Sequence, residues 1–227
     1  MSKRKGYIRN VENYQVVMRN DMARHVIDVP KEANTAALMY YAISHIHNGT
    51  SGDGDCEIKP IQIDWEDFTD LMPMSKRNCA LAVQKAVGVT VTFTDEDTDK
   101  RITEVIFTTS IWKAGKITLL INQRLAPYLL NLSEKFASAS LKMLMRLSGP
   151  HQRALFWYLT MQDNRIRKRV GITLDDMVDI CRLPKSKANI YEVQKVVKAL
   201  NDDESTFSGV KYDEIYETLI WKRRTKI

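Results

Sequence analysis

Cysteine is scarce in this chain. Cys56, Cys79 and Cys181 are odd in number, widely spaced, and form no C-x-x-C pair. That excludes a disulfide framework and a zinc module, and it fits a reducing compartment. Long apolar runs are missing too: none approaches the roughly 18 residues of a membrane span. Residues 1–10 are basic, but no apolar stretch follows to complete a signal peptide. The expectation is a cytoplasmic protein with no membrane partner. No P-loop, Gly-rich dinucleotide motif, Ser-His-Asp order or zinc-ligand spacing occurs. The reading is therefore of a chain that is no enzyme, with no catalytic residue, cofactor or metal.

What is present suits a folded protein with a polyanionic partner. Hydrophobic residues make up 44% of 227 positions, enough for a real core. Lys and Arg number 34 against 28 Asp and Glu, a net charge of +6. That excess is modest support for nucleic acid. Cations crowd both ends: Lys3, Arg4, Lys5 and Arg9, then Lys222, Arg223, Arg224 and Lys226. They read as solvated tails or as arms that touch phosphate.

The first half has a legible order. Residues 35–47 place Leu38, Met39, Ala42, Ile43 and Ile46 at helical spacing, and the Gly/Asp-rich run 48–55 ends that helix. Residues 57–63 alternate as a short strand. Asp64 is an N-cap for a helix with Trp65, Phe68 and Leu71, which Pro73 ends. Ser75 caps a longer helix with Cys79, Val83, Ala86 and Val87 inward. Strand-like runs follow at 89–94, 101–111 and 116–122. An acidic turn, Asp95 to Asp99, separates the first two and Ala114-Gly115 the last two. Helix, strand, helix, helix, hairpin is the order of a winged helix, whose second helix enters a DNA groove.

The second half repeats that order. Residues 152–162 form an apolar helix and 169–173 a strand. Thr173 caps a helix with Met177, Ile180 and Cys181. A second long helix at 187–200 turns Ile190, Val193, Val197 and Leu200 inward, and 210–222 supply a small wing. The expected fold is α+β and helix-rich, with two tandem winged-helix domains. Residues 1–12 form a basic tail, 13–122 the first domain and 123–227 the second. No long Gly/Ser/Pro linker separates them.

Residues 14–22 (YQVVMRNDM) resemble the Y-x-V-V-x-x-N-D-L opening of the iteron-binding plasmid replication initiators, with Met22 in place of Leu. Pro127-Tyr128-Leu129, Phe136-Ala-Ser, Arg153-Ala-Leu155 and Leu183-Pro184-x-Ser186 are similar to that family's later segments, in the same order. The chain departs from it at the second wing, where Glu214-Ile-Tyr-Glu217 replaces a basic turn. The resemblance implies a double-stranded DNA partner at direct repeats of an origin and at the protein's own operator. It implies a homodimer in equilibrium with monomer, paired through the first domain, and contacts with the host initiator and replicative helicase. It gives the first domain dimerisation and backbone contact, and the second sequence-specific binding.

Candidate contacts follow from chemistry. The second long helix carries Lys185, Ser186, Lys187, Asn189, Tyr191, Gln194, Lys195 and Lys198 on or near its outer faces. Lys reads guanine edges, Asn and Gln read adenine, and Ser and Lys hold phosphate. The plain alternative is a solvated helix face, with Tyr191 packed on a neighbour. In the first domain Lys76, Arg77, Asn78 and Lys85 form the matching face, and Arg167, Lys168 and Arg169 are a phosphate clamp or a solvated loop. The acidic turn at 95–99 and the Glu214–Glu217 tip would be repelled by phosphate, so neither is expected to enter DNA. His45-Ile46-His47 and Tyr191-x-x-x-Lys195 spell a metal-dependent nicking site. Two His at i and i+2 on a helix sit about 200° apart, however, and share no face. They are expected to be cations at a helix C-terminus. A winged-helix transcription regulator without a replication role is the remaining alternative.

Overall fold

The computed structural model describes residues 14–26, 33–46, 57–130, 132, 135–147, 149–163, 169–184, 190–202 and 207–223. Among them the fold is mixed α/β, with nine α-helices and ten strands. No helix of these residues is long and apolar enough to cross a membrane.

One arrangement occurs twice. In the first, α2 (Ala33–His45) precedes β2 (Ile61–Asp64), α3 (Trp65–Leu71), α4 (Lys76–Ala86) and the hairpin β5 (Phe107–Lys113) and β6 (Lys116–Ile121). In the second, α7 (Pro150–Asp163) precedes β8 (Arg169–Gly171), α8 (Leu174–Ile180), α9 (Ile190–Asp202) and the hairpin β9 (Phe207–Asp213) and β10 (Thr218–Arg223). Both sheets are antiparallel, with the hairpin's last strand in the middle: β2-β6-β5 and β8-β10-β9. Each hairpin turn is tied back to the residue after the first strand. Trp65 N–H donates to the Gly115 carbonyl at 3.0 Å, and Ile172 N–H to that of Glu217 at 2.7 Å.

Capping chemistry starts the helices. Ser75 accepts from Asn78 N–H at the head of α4, and Thr173 with Asp176 forms a reciprocal capping box on α8. Asp64 occupies the expected cap position of α3, but its side chain makes no capping bond. Val87 follows α4 as its C-cap and is exposed rather than inward. The first strand starts at Ile61, later than the alternation suggests. Pro60 has no N–H to give a ladder, and the Ile58 backbone pairs instead with the Gln123 side-chain amide, at 2.9 and 2.7 Å.

The run 101–111 is not one strand. β4 (Arg101–Val105) pairs with β3 (Thr90–Thr94), whereas β5 pairs with β6. Ile106 and Phe107 are consecutive and both fully buried. A single pleated strand cannot turn two neighbours to the same side, so the chain changes sheet there. Ile106 bonds to both neighbours: its N–H reaches the Val89 carbonyl and its carbonyl receives Asn122 N–H.

Between the repeats lie α5 (Ala126–Leu129), β7 (Phe136–Ser140) and α6 (Leu141–Arg146). β7 pairs antiparallel with β1 (Gln15–Arg19), from Gln15 opposite Ser140 to Arg19 opposite Phe136. α1 (Asn20–Val26) packs on β3 and on α7. The N-terminal strand thus reaches past position 122 into the second half, and the buried apolar side chains form one cluster across both halves.

Candidate nucleic-acid interface

α4 buries Cys79, Ala82, Val83 and Ala86 and exposes Lys76, Arg77, Asn78 and Lys85. The half-buried Ser110 hydroxyl on β5 donates to the Val83 carbonyl at 2.8 Å and locks the hairpin against the helix. At the tip of that hairpin Lys113 and Lys116 stand opposite each other across Ala114-Gly115, both exposed. Ala114 and Gly115 take positive φ there, 52° and 78°. Trp65 and Trp112 pack beneath, with ring centroids 6.3 Å apart. These two lysines were not among the expected contacts, because the acidic turn at 95–99 read as the tip. The Lys-Ala-Gly-Lys spelling of a turn flanked by cations was the available signal.

The acidic turn is tied to the protein at its first residue: Asp95 is buried, and residues 96–99 are exposed. Arg19 Nε lies 3.1 and 3.0 Å from the two Asp21 oxygens, and its guanidinium also reaches Asp97 at 3.0 Å and Asp95 at 3.5 Å. It sits 4.9 Å from the centroid of the Tyr128 ring. Asp95 is buried and accepts from the Tyr128 hydroxyl and from the N–H groups of Asp97 and Thr98. The Tyr128 bond, first among these, holds the Asp95 carboxyl down at about 2. Burial and Asp95 together raise Tyr128, and the hydrogen bond to Asp21 raises Arg19. Lys135 pairs with Asp97 at 2.7 Å and Arg24 with Glu96 at 2.8 Å. Three cations, Arg19, Arg24 and Lys135, thus offset most of the charge of these four carboxylates within the protein.

α9 is strongly two-faced. Val193, Val196, Val197 and Leu200 are buried. Tyr191, 69% exposed, does not pack on a neighbouring helix. Lys195 is exposed, and Lys198 pairs with Asp202 at 3.0 Å. Gln194 has a structural partner: its amide donates to the Tyr212 carbonyl of β9 at 2.8 Å. Asn201 clamps the same strand, accepting from Val210 N–H at 3.1 Å and donating to its carbonyl at 2.9 Å. Arg169 and Lys211 both lie opposite Ile220 on the outer side of the second sheet, and Lys222 is exposed on the same strand as Ile220. Lys211 is a further cation that the spacing did not single out. The second tip holds Ile215 and Tyr216 almost fully exposed, their N–H groups bonded to Asp213. Arg167, Lys168, Lys185, Ser186, Lys187 and Asn189 lie outside the described residues.

The nicking motif does not survive as geometry. His45 is buried rather than presented at the surface. Its ring lies 4.6 Å from that of Tyr41 and 5.2 Å from that of Tyr14, and Nδ1 donates to the Tyr41 carbonyl at 2.8 Å. His45 does stand in the last turn of α2, as expected, and its ring is a core side chain with one nitrogen already engaged. His47 lies outside the described residues. Burial pushes the Cys79 thiol up to about 11 and that of Cys181 to about 12, so both stay protonated and inert.

Comparison with known proteins agrees with this architecture. No curated protein sequence matches the chain. Among solved structures, the crystal structure of Pi initiator protein in complex with iteron DNA shares its fold, with a TM-score of 0.72 at 15% identity over 92% of this chain and 96% of that one. The family described as Initiator Replication protein, WH1 matches residues 15–160. The chain belongs to this family of replication initiators.

Proposed function

We propose that the protein initiates plasmid replication by binding repeated duplex sequences at an origin, without catalysis of its own, through two tandem winged-helix units. One observation carries this reading. A shared order of helices and strands occurs twice, interrupted in the first copy by the β3–β4 pair, with the same strand order in the three-stranded sheet, and each copy turns a polar helix face outward beside its hairpin. The Pi initiator, which has this fold, was crystallised on iteron DNA. In this reading residues 13–122 pair two copies and hold DNA backbone, and residues 123–227 read sequence. β5 is the outer strand of its sheet and offers an edge for pairing. The dimer represses at the operator, monomers occupy direct repeats, and the host initiator and helicase are recruited there.

Binding across a salt series to a duplex selected from a random pool and to its scrambled form tests the proposal. Wild type should prefer the selected duplex. Lys113→Ala and Lys116→Ala should weaken both duplexes alike, each flattening the log–log salt slope by about 0.9. Equal affinity of wild type for the two duplexes would refute sequence-specific binding. Sedimentation of the same samples should give a dimer without DNA, and incubation with Mg²⁺ should leave supercoiled DNA un-nicked. A covalent adduct at Tyr191 would make the protein an enzyme after all.

A further inference from the structure

The second hairpin ends in an apolar knob. Ile215 is 87% exposed and Tyr216 72%, the two most exposed large apolar side chains among the described residues. Single exposed apolar residues are ordinary on a protein surface. Here two stand side by side on a fixed turn. Asp213 accepts from both of their N–H groups, the Tyr216 carbonyl accepts from the Thr218 hydroxyl at 2.7 Å, and the Glu217 carbonyl accepts from Ile172 N–H. Exposed Glu214 and Glu217 flank the pair. Phosphate repels such a tip, so the DNA backbone does not suit it as a partner.

The complementary chemistry occurs elsewhere on the same chain. A cleft of about 230 Å³ opens between α1, α7 and the end of α8. Ala154, Tyr158 and Met161 of α7 and Ile180 of α8 give it apolar walls. Arg24 and Arg182 add two cations to the lining, and Arg182 donates to the Arg24 carbonyl at 3.0 Å. Asp179 is the one carboxylate among the described lining residues. Roughly 150 Å³ of apolar space accepts a benzene ring, so the cleft has room for one phenol ring. A ring placed there meets Tyr158, and aromatic pairs attract beyond the area they bury. The chain's own knob does not fill this cleft. It is bonded to Ile172, ahead of α8, whereas the cleft lies at the far end of that helix, about 10 Å along.

We propose that the knob of one copy docks in the cleft of a second copy. Tyr216 enters against Tyr158 and Met161, Ile215 covers the mouth, and Glu214 and Glu217 meet Arg24 and Arg182. Knob and cleft are different surfaces, so the contact is heterologous and joins copies head to tail in one orientation. It is small, and contacts of this size are weak between free proteins. Neighbouring DNA sites hold copies at high effective concentration, and there a weak contact counts. Sites repeated in one orientation suit it, and inverted sites do not. The contact stands apart from the DNA-binding reading; its effect on tandem sites rests on that reading.

The test has two arms. In the first, without DNA, Cys56→Ser protein carrying Glu214→Cys is mixed with Cys56→Ser protein carrying Arg24→Cys and treated with a short bis-maleimide. Cys79 and Cys181 are buried and stay out of the reaction. The mixture should give several-fold more crosslinked pairs than either protein alone, and Tyr216→Ser in the knob partner should abolish the excess. Equal yields, or an excess that survives Tyr216→Ser, would overturn the docking. In the second arm, binding isotherms compare one selected site with two sites in direct and in inverted orientation, their spacing stepped through one helical turn. Wild type should fill the direct pair with about tenfold cooperativity at one spacing and the inverted pair with none. The double variant Ile215→Ser, Tyr216→Ser should lose that cooperativity and keep its Tm and its single-site affinity. Cooperativity that persists in this variant, or is equal in both orientations, would count against the contact. A loss on the single site would assign the tip to DNA and overturn the proposal too. If wild type shows no preference for the selected duplex, the DNA-binding reading fails, and the crosslinking arm decides the contact by itself.

Discussion

Arg19→Ala should be among the most destabilising single substitutions in this protein, costing about 3–5 kcal/mol. The guanidinium is 14% exposed and faces Asp21 and Asp95, whose side chains are 2% and 8% exposed. Removing it leaves those carboxylates buried beside each other with their largest shared cation gone. Urea unfolding reads the loss as a lower midpoint at unchanged slope. Lys135→Ala removes an ion pair whose two partners are both about half exposed, and it should barely move the midpoint. Should the two variants unfold alike, the cluster is not the clamp described here. The same cluster sets the acid limit of the fold. Asp95 is held at about 2, below the roughly 3.9 of a free Asp. A depressed carboxylate contributes its stability above the unfolded value and loses it as pH falls toward the folded one. Stability should therefore drop between about pH 4 and pH 2. Tyr128→Phe, which removes the first of Asp95's donors, should differ most from wild type above that window and converge with it below.

The clamp also shows what could be read in advance and what could not. α2, α4 and α7 announce themselves through apolar spacing, and Ser75 and Thr173 mark the starts of α4 and α8, because those signals act within one or two turns of the chain. The tethering of the acidic turn depends on Arg19, 78 residues before Asp97, and on Tyr128, 33 residues after Asp95. Local composition reports such a turn as a solvated tip. The burial of His45 was hidden for the same reason: its surroundings include Tyr14, which the sequence places 31 positions away. The split at Ile106 was legible, since Val105-Ile106-Phe107 breaks the alternation that a single strand needs. The candidate DNA contacts were legible as residue types. Their presentation was not, because whether an amide faces solvent or a hairpin is decided by packing between elements.

Gln194 and Lys195 make that distinction measurable. Both lie on the exposed side of α9, and both have the chemistry to read a base edge. The structure spends the Gln194 amide on the Tyr212 carbonyl, next to the double clamp of Asn201 on Val210. Asn201→Ala orphans an N–H and a carbonyl together and should cost about 2–4 kcal/mol, with Gln194→Ala costing less. Both should weaken selected and scrambled duplexes by similar factors, since what they loosen is the seat of the hairpin on the helix. Among the described residues Lys195 is exposed and makes no such hydrogen bond. Lys195→Ala should leave Tm unchanged, cost about 1–3 kcal/mol on the selected duplex, and cost less on the scrambled one. The measurement is a pair of binding isotherms per variant beside a thermal melt. Full discrimination in Lys195→Ala, combined with its loss in Arg77→Ala or Asn78→Ala, would move sequence reading from α9 to α4. Loss of discrimination in Gln194→Ala at unchanged Tm would mean that the amide leaves Tyr212 for a base when DNA arrives.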